Sequence, residues 1–196
     1  MPNKTPHGPP IHAPILCLAG FMGSGKSTVG TALSRQLAWR FSDLDERIEE
    51  ASGLTIPQIF EKFGEPAFRQ IEHQQLQLVI GRVAERNEPT VMALGGGTYA
   101  QPANADLLRA ADIPVIWLDC PLETLLNRCL TMTGRPLFRD ESSFRALYQQ
   151  RLSSYQQAAY RVESSGEPFA VVARILDLGI VAPGNPENLI VGRGPS

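Results

Sequence analysis

Gly20-Phe21-Met22-Gly23-Ser24-Gly25-Lys26-Ser27-Thr28 fills every position of the phosphate-binding pattern G-x-x-x-x-G-K-[ST]. Glycines let successive backbone N–H groups curl around an anion, and the helix that follows directs its positive end at the same point. In this pattern Lys26 reaches the β- and γ-phosphates and the Ser27 hydroxyl holds Mg²⁺. The flanks agree with the motif. Ile15-Leu16-Cys17-Leu18-Ala19 reads as a buried strand, and Val29, Leu33 and Leu37 recur at helical spacing. An ordinary strand-to-helix turn needs neither Lys26 nor Ser27, so the stretch marks a nucleoside-triphosphate site.

Composition sets the bounds around it. A chain of 196 residues suits one α/β domain with a sizeable core. With 18 basic and 20 acidic residues and no basic block, nothing suggests a nucleic-acid partner. Cys17, Cys120 and Cys129 are odd in number and far apart; packing is the expected role of Cys17 and Cys120, and a reducing cytoplasm the expected compartment. No apolar run is long enough to span a membrane. Residues 1–14, with five prolines and two histidines, read as a mobile leader, and residues 180–196 as a flexible tail after a domain spanning 15–179.

Between those ends the chain alternates strands and helices. Trp39-Arg40-Phe41-Ser42 is expected as a second strand ending in Asp43-Leu44-Asp45. Asp43 and Asp45 then lie at the strand edge where open α/β sheets bind ligands, Asp43 facing Mg²⁺ and Asp45 a substrate hydroxyl. Equally, Ser42 or Asp43 could cap the next helix. Residues 54–86 read as a helical insertion, broken near Gly53, Pro57 and Gly64–Pro66, with Ile59, Phe60, Phe63, Phe68, Ile71, Leu76 and Val79 on its apolar face. It resembles a separate substrate-binding lobe. Within it Arg69 either pairs with Glu65 or Glu72 or serves a site. A third strand, Thr90–Leu94, runs into Gly95-Gly96-Gly97, where a ligand meets backbone or side chains would block the way. Then come a helix over 103–111, a strand at Pro114–Asp119 and a helix from Pro121 that carries Arg128. The segment at about 131–142 suits a lid, with Arg135 either steadying the transferring phosphoryl group or standing in solvent. A helix is expected from Ser142 to Ala159, with Arg151 beside its stripe of Phe144, Tyr148, Leu152 and Tyr155. Tyr160–Glu163 is a short fifth strand, and a last helix runs from Pro168 to Leu178.

Taken in order, Asp43-Leu44-Asp45-x-x-Ile48, Phe68-Arg69-x-x-Glu72, Leu94-Gly95-Gly96-Gly97, Gly134-Arg135-Pro136-Leu137 and Arg151 before Tyr155 resemble the shikimate kinases over about Ile15 to Leu178. The resemblance implies a three-layer α/β/α P-loop kinase fold on a five-stranded parallel sheet. It implies transfer of the ATP γ-phosphoryl group to the 3-hydroxyl of shikimate, with Mg²⁺ as cofactor, in aromatic amino acid biosynthesis. Gly23, Ser24, Gly25, Lys26, Ser27 and Thr28 would then bind ATP, with Arg128 and Pro168 beside adenine and Arg135 on the lid. Ser27 and Asp43 would serve the metal. Asp45 would orient or deprotonate the attacking hydroxyl, and Arg69, Arg151 and the Gly95–Gly97 backbone would bind shikimate. A monomer is expected. The sequence departs from the family pattern at Leu44, at Thr133-Gly134 and in its Pro-rich ends. The competing expectations are a gluconate or nucleoside-monophosphate kinase on the same scaffold, and an effector-binding regulator; substrate preference separates the first, loss of Lys26 or Asp45 would mark the second.

Overall fold

β1 (Ile15–Ala19) is buried at every position, as a strand covered on both faces requires. Its side chains alternate between two cores: Ile15, Cys17 and Ala19 face one, Leu16 and Leu18 the other. The computed structural model describes residues 15–130 and 140–181. β2 (Arg40–Asp43), β3 (Thr90–Ala93), β4 (Val115–Asp119) and β5 (Tyr160–Glu163) complete a parallel sheet in the order β2-β3-β1-β4-β5. Ile15 pairs with Thr90 on one side of β1, and Cys17 with Val115 on the other. This is the three-layer α/β/α arrangement expected of the sequence.

One face carries α1 (Lys26–Leu37) and α7 (Pro168–Asp177), whose Val29, Leu33, Leu37, Val171, Val172 and Ile175 join Leu16 and Leu18. The opposite face carries α2 (Leu44–Ser52), α3 (Ile56–Arg86), α4 (Pro102–Ala110), α5 (Leu122–Leu130) and α6 (Glu141–Tyr155). Each fully buried leucine in these layers contributes about 2 kcal/mol by leaving water. Among the described residues no helix is long and apolar enough to cross a membrane.

Several local expectations are corrected. β2 starts and ends one residue later than its apolar run suggests, so Asp43 is at once its last residue and the N-cap of α2. The helical insertion is not a separate lobe: Leu76, Val79 and Val83 of α3 pack into the same core as β1 and β4. Its first two turns, set off by Gly64, whose φ of 76° breaks the helix, reach the same core through fully buried Ile59. Phe63, just before the break, is 58% exposed instead of lying on the apolar face. α6 ends at Tyr155, not Ala159, because Gln157 and Ala158 donate to Ser154 O and Tyr155 O in tight turns that lead the chain into β5. The α3 start follows its sequence: Thr55 and Gln58 form a reciprocal capping box worth about 1 kcal/mol.

Candidate active site

The carboxyl ends of β1, β2 and β3 deliver three segments to one edge of the sheet: the Gly20–Thr28 loop, Asp43–Asp45 and Gly95–Gly97. The loop's glycines serve different ends. Gly23 and Gly25 take φ of 80° and 92°, in the left-handed region that favours glycine, while a Cβ on Gly20 would stand 2.8 Å from Leu118 O. Asp43, Thr55 and Asp140 cap α2, α3 and α6 with side-chain oxygens, but α1 starts at Gly25 with no side-chain cap and no acid in its first turn. Its leading N–H groups therefore keep their capacity for an anion. Ser24 Oγ, buried beneath the loop, is the one buried side-chain oxygen or nitrogen without a partner among the described residues.

Lys26 Nζ donates to Gly20 O at 2.8 Å and Phe21 O at 3.1 Å, which folds the ammonium over its own loop. Ser27 Oγ donates to Asp43 Oδ2 at 2.6 Å, and Asp43 Oδ1 accepts from Asp45 N at 3.0 Å. Asp43 thus caps α2 with one carboxylate oxygen and meets Ser27 with the other. Two hard oxygen donors in contact fit Mg²⁺, which takes few protein ligands and completes its shell with phosphate and water. In keeping with that, no group of three or more His, Cys, Asp or Glu suited to a metal occurs among the described residues.

A cavity of about 490 Å³ opens over the loop, lined by Gly23–Val29, Asp43, Asp45, Arg128 and the stretch Ser164–Pro168. Arg128 donates to Gly23 O, Ser164 O and Ser165 O at 3.1, 3.3 and 2.8 Å, pinning the phosphate-binding loop to the β5–α7 turn. Ser164 and Ser165 carried no signal in the sequence, because they contribute carbonyls, which any residue supplies.

A second cavity, of about 270 Å³, lies between α2, the first turns of α3 and the glycine run; Asp45, Arg69, Gly95–Gly97 and Arg151 line it together with Phe60 and Phe68. Met22, Asp45 and Gly96 line both cavities. Asp45 therefore stands where the two meet.

The glycine run is explained by what surrounds it. A Cβ on Gly95 would stand 2.5 Å from Asp45 Oδ1; one on Gly97 would stand 2.7 Å from Arg69 Nη2 and 3.1 Å from Arg151 Nη2. None of the three needs a positive φ. The requirement is space: three side chains from three helices press on this backbone. Arg69 is held by Glu65 at 3.0 Å and by Glu72 at 3.0 Å, and its guanidinium lies 5.0 Å from the centre of the Phe68 ring. The ion pairs left open by the sequence are present, and they aim the arginine at the cavity. Glu72 is 1% exposed and also accepts from Thr98 Oγ1 at 2.7 Å, tying α3 to the turn after the glycines. Arg151 is 8% exposed and sits over the Phe21 ring. Tyr155 donates to Gly96 O; burial pushes its phenol up to about 12, so this bond persists through neutral pH. Glu72, Thr98 and Tyr155 escaped prediction as site-builders, since each reads as ordinary core or ion pair until the tertiary contacts exist.

Gly95→Ala and Gly97→Ala are accordingly expected to act differently. The first displaces Asp45 and lowers kcat by about 10²-fold; the second displaces Arg69 and Arg151 and raises acceptor KM by about tenfold or more. Gly97→Ala leaves the fold standing, since it crowds only guanidinium ends, whereas Gly95→Ala also crowds buried Thr98 Oγ1, at 2.9 Å, and is expected to lower the melting temperature as well. Steady-state kinetics of the two variants check this, and interchangeable effects would refute the assignment. Arg135 and the segment 131–139 lie outside the described residues, so the expected lid is represented only by its last residues at the start of α6.

A family model described as shikimate kinase matches residues 22–178. A curated shikimate kinase from Synechococcus sp. strain RCC307 is 40% identical over 192 residues, covering 94% of this chain and 95% of that protein. One from Persephonella marina is 38% identical over 161 residues, covering 81% of this chain and 94% of its own length. Among solved structures, shikimate kinase from Acinetobacter baumannii in complex with shikimate superposes with a TM-score of 0.77 at 35% identity, covering 84% of this chain and 92% of that one.

Proposed function

The chain belongs to the shikimate kinase family, and on that premise we propose that it transfers the γ-phosphoryl group of ATP to the 3-hydroxyl of shikimate, giving shikimate 3-phosphate and ADP. The observation that carries this reading is Asp45, which lines both the phosphate-loop cavity and the arginine-lined cavity beside it. A hydroxyl held in the second cavity is thereby presented to a phosphoryl group held in the first.

In this reading the loop N–H groups, Lys26 and the start of α1 bind the triphosphate, with Arg128 and Pro168 at the adenine end. Ser27 and Asp43 would hold Mg²⁺, which when bound neutralises charge on the β- and γ-phosphate oxygens. Arg69 and Arg151 offer planar forks to the shikimate carboxylate, and their side chains are already ordered by Glu65, Glu72 and Phe21. The Gly95–Gly97 backbone meets the ring. Asp45 accepts the hydrogen of the attacking hydroxyl, orienting the oxygen and taking its proton as the phosphoryl bond forms. Arg135 is assigned the lid position that steadies the transferring charge. Of the helical stretch 54–86, the part that lines the substrate cavity is Ile56–Glu72, within a kinase domain of 15–179. A monomer is supported by cavities that one chain lines among the described residues, and a cytoplasmic location by three free, buried thiols.

Arg69→Ala is expected to raise shikimate KM by at least about tenfold and to lower kcat as well, since a misplaced hydroxyl forfeits transition-state contacts. An unchanged KM would remove Arg69 from the substrate site. The whole reading is tested by ADP release with Mg-ATP and shikimate, with gluconate, AMP and CMP as parallel acceptors. Turnover with shikimate alone supports it; release only with another acceptor keeps the phosphate loop and replaces the substrate, and silence across the panel with ATP still bound favours an effector-binding role.

A further inference from the structure

A third concavity, of about 350 Å³, lies away from both cavities described above, behind edge strand β2. Three elements put arginines on it: Arg40 from β2, Arg47 from α2, and Arg82 and Arg86 from the last turns of α3. Glu88 is the one carboxylate in its lining. Arg40 is paired with Glu88 at 2.8 Å, and Arg47 with Glu50 at 3.0 Å at the rim, while Arg47 Nε also reaches Ser42 Oγ. Arg82 and Arg86, one helical turn apart on the exposed face of α3, have no hydrogen-bond or ion-pair partner among the described residues. The chain as a whole carries a net charge of −2, so this concentration of cations runs against its overall balance.

We propose that this concavity is a second anion site, built for a small polyanion of the phosphate class and separate from the nucleotide loop. Edge-strand protection alone asks for one or two charges pointing into solvent, as Arg40 provides. It does not ask for guanidinium groups from two further helices around a recess. Exposed arginines around the rim of a recess, two of them with free donors, bind oxygen pairs of phosphate bidentately, and a recess of this volume admits a pyrophosphate-sized ion. Ser42 Oγ, which accepts from Arg47 Nε, keeps its own hydrogen as one neutral donor in the lining.

Inorganic pyrophosphate is the probe, titrated calorimetrically into the full chain at low ionic strength. The protein is first saturated with Mg²⁺, a non-hydrolysable ATP analogue and shikimate, so that the phosphate loop is filled. One saturable site is expected, weakened at least about tenfold in Arg82→Ala/Arg86→Ala and by added salt. The double variant changes exposed side chains, and its kcat without pyrophosphate and its melting temperature should match the parent. Binding that disappears once the ATP analogue is present would place the anion in the phosphate loop and overturn the proposal. So would equal binding by the double variant, or no saturable binding. Because this titration reads heat of binding and not turnover, it stands or falls independently of which acceptor the enzyme phosphorylates.

Discussion

Asp45→Asn is expected to lower kcat by about 10²- to 10⁴-fold, with ATP affinity and melting temperature close to the parent. The side chain keeps its size and loses its ability to take a proton. Size matters here, because the carboxylate lies so close to the Gly95 backbone that a single added carbon would collide with it. The cap that starts α2 uses the Asp45 N–H and the Asp43 carboxylate, both retained in the variant. The loss should appear equally in kcat and kcat/KM for shikimate, as befits a contact made in the transition state. A kcat within about threefold of the parent would remove Asp45 from proton transfer and leave positioning by the arginines to carry the rate.

Lys26→Ala is the second large effect, a fall in kcat of about 10²- to 10³-fold, accompanied by weaker ATP binding and an unchanged shikimate affinity. At rest the ammonium is satisfied by two carbonyls of its own loop. Engaging a triphosphate exchanges those neutral acceptors for phosphate oxygens, a gain that grows as charge shifts during transfer. Its removal takes away a cation at the reacting centre but leaves Ser27, Asp43 and the helix start in place. Melting temperature, ATP titration and kcat of the variant separate these terms. A variant that binds ATP weakly yet turns over at the parental rate when saturated would confine Lys26 to ground-state binding.

What could be read beforehand depended on how local the physics was. The loop is a local object: its glycines, lysine and hydroxyl are adjacent, and the strand and helix around it follow from a short apolar run and a regular spacing. Strand identities were also legible, since a parallel sheet buried on both faces writes continuous apolar segments. Boundaries were less so. Ala158 and Ala159 favour helix, but the turn that admits β5 overrides them. Phe63 fits the apolar stripe by spacing, yet the helix stops one residue later and leaves it exposed.

The arginines mark the deeper limit. Arg69 has acids at helical spacing on both sides, so its local surroundings account for it completely, and its closeness to Gly97 shows only in the tertiary structure. Arg151 gives no local sign at all. Its burial depends on Phe21, far away in the chain. The family pattern supplied what spacing could not, because it encodes contacts between distant segments.

The strand order has a consequence for how the chain acquires this shape. β1 occupies the middle of the sheet, yet both of its neighbours come much later: Ile15 waits for Thr90, and Cys17 for Val115. β2 cannot dock first either, since its partner is β3. During synthesis, at about 5–20 residues per second, the amino-terminal third therefore emerges with its most apolar strand unpaired for several seconds. Closing such long loops before any pairing is rewarded makes folding slow relative to a helical bundle of similar size. The nucleotide loop thus leaves the ribosome well before the strands that fix β1 in the sheet, and takes its final form only after them.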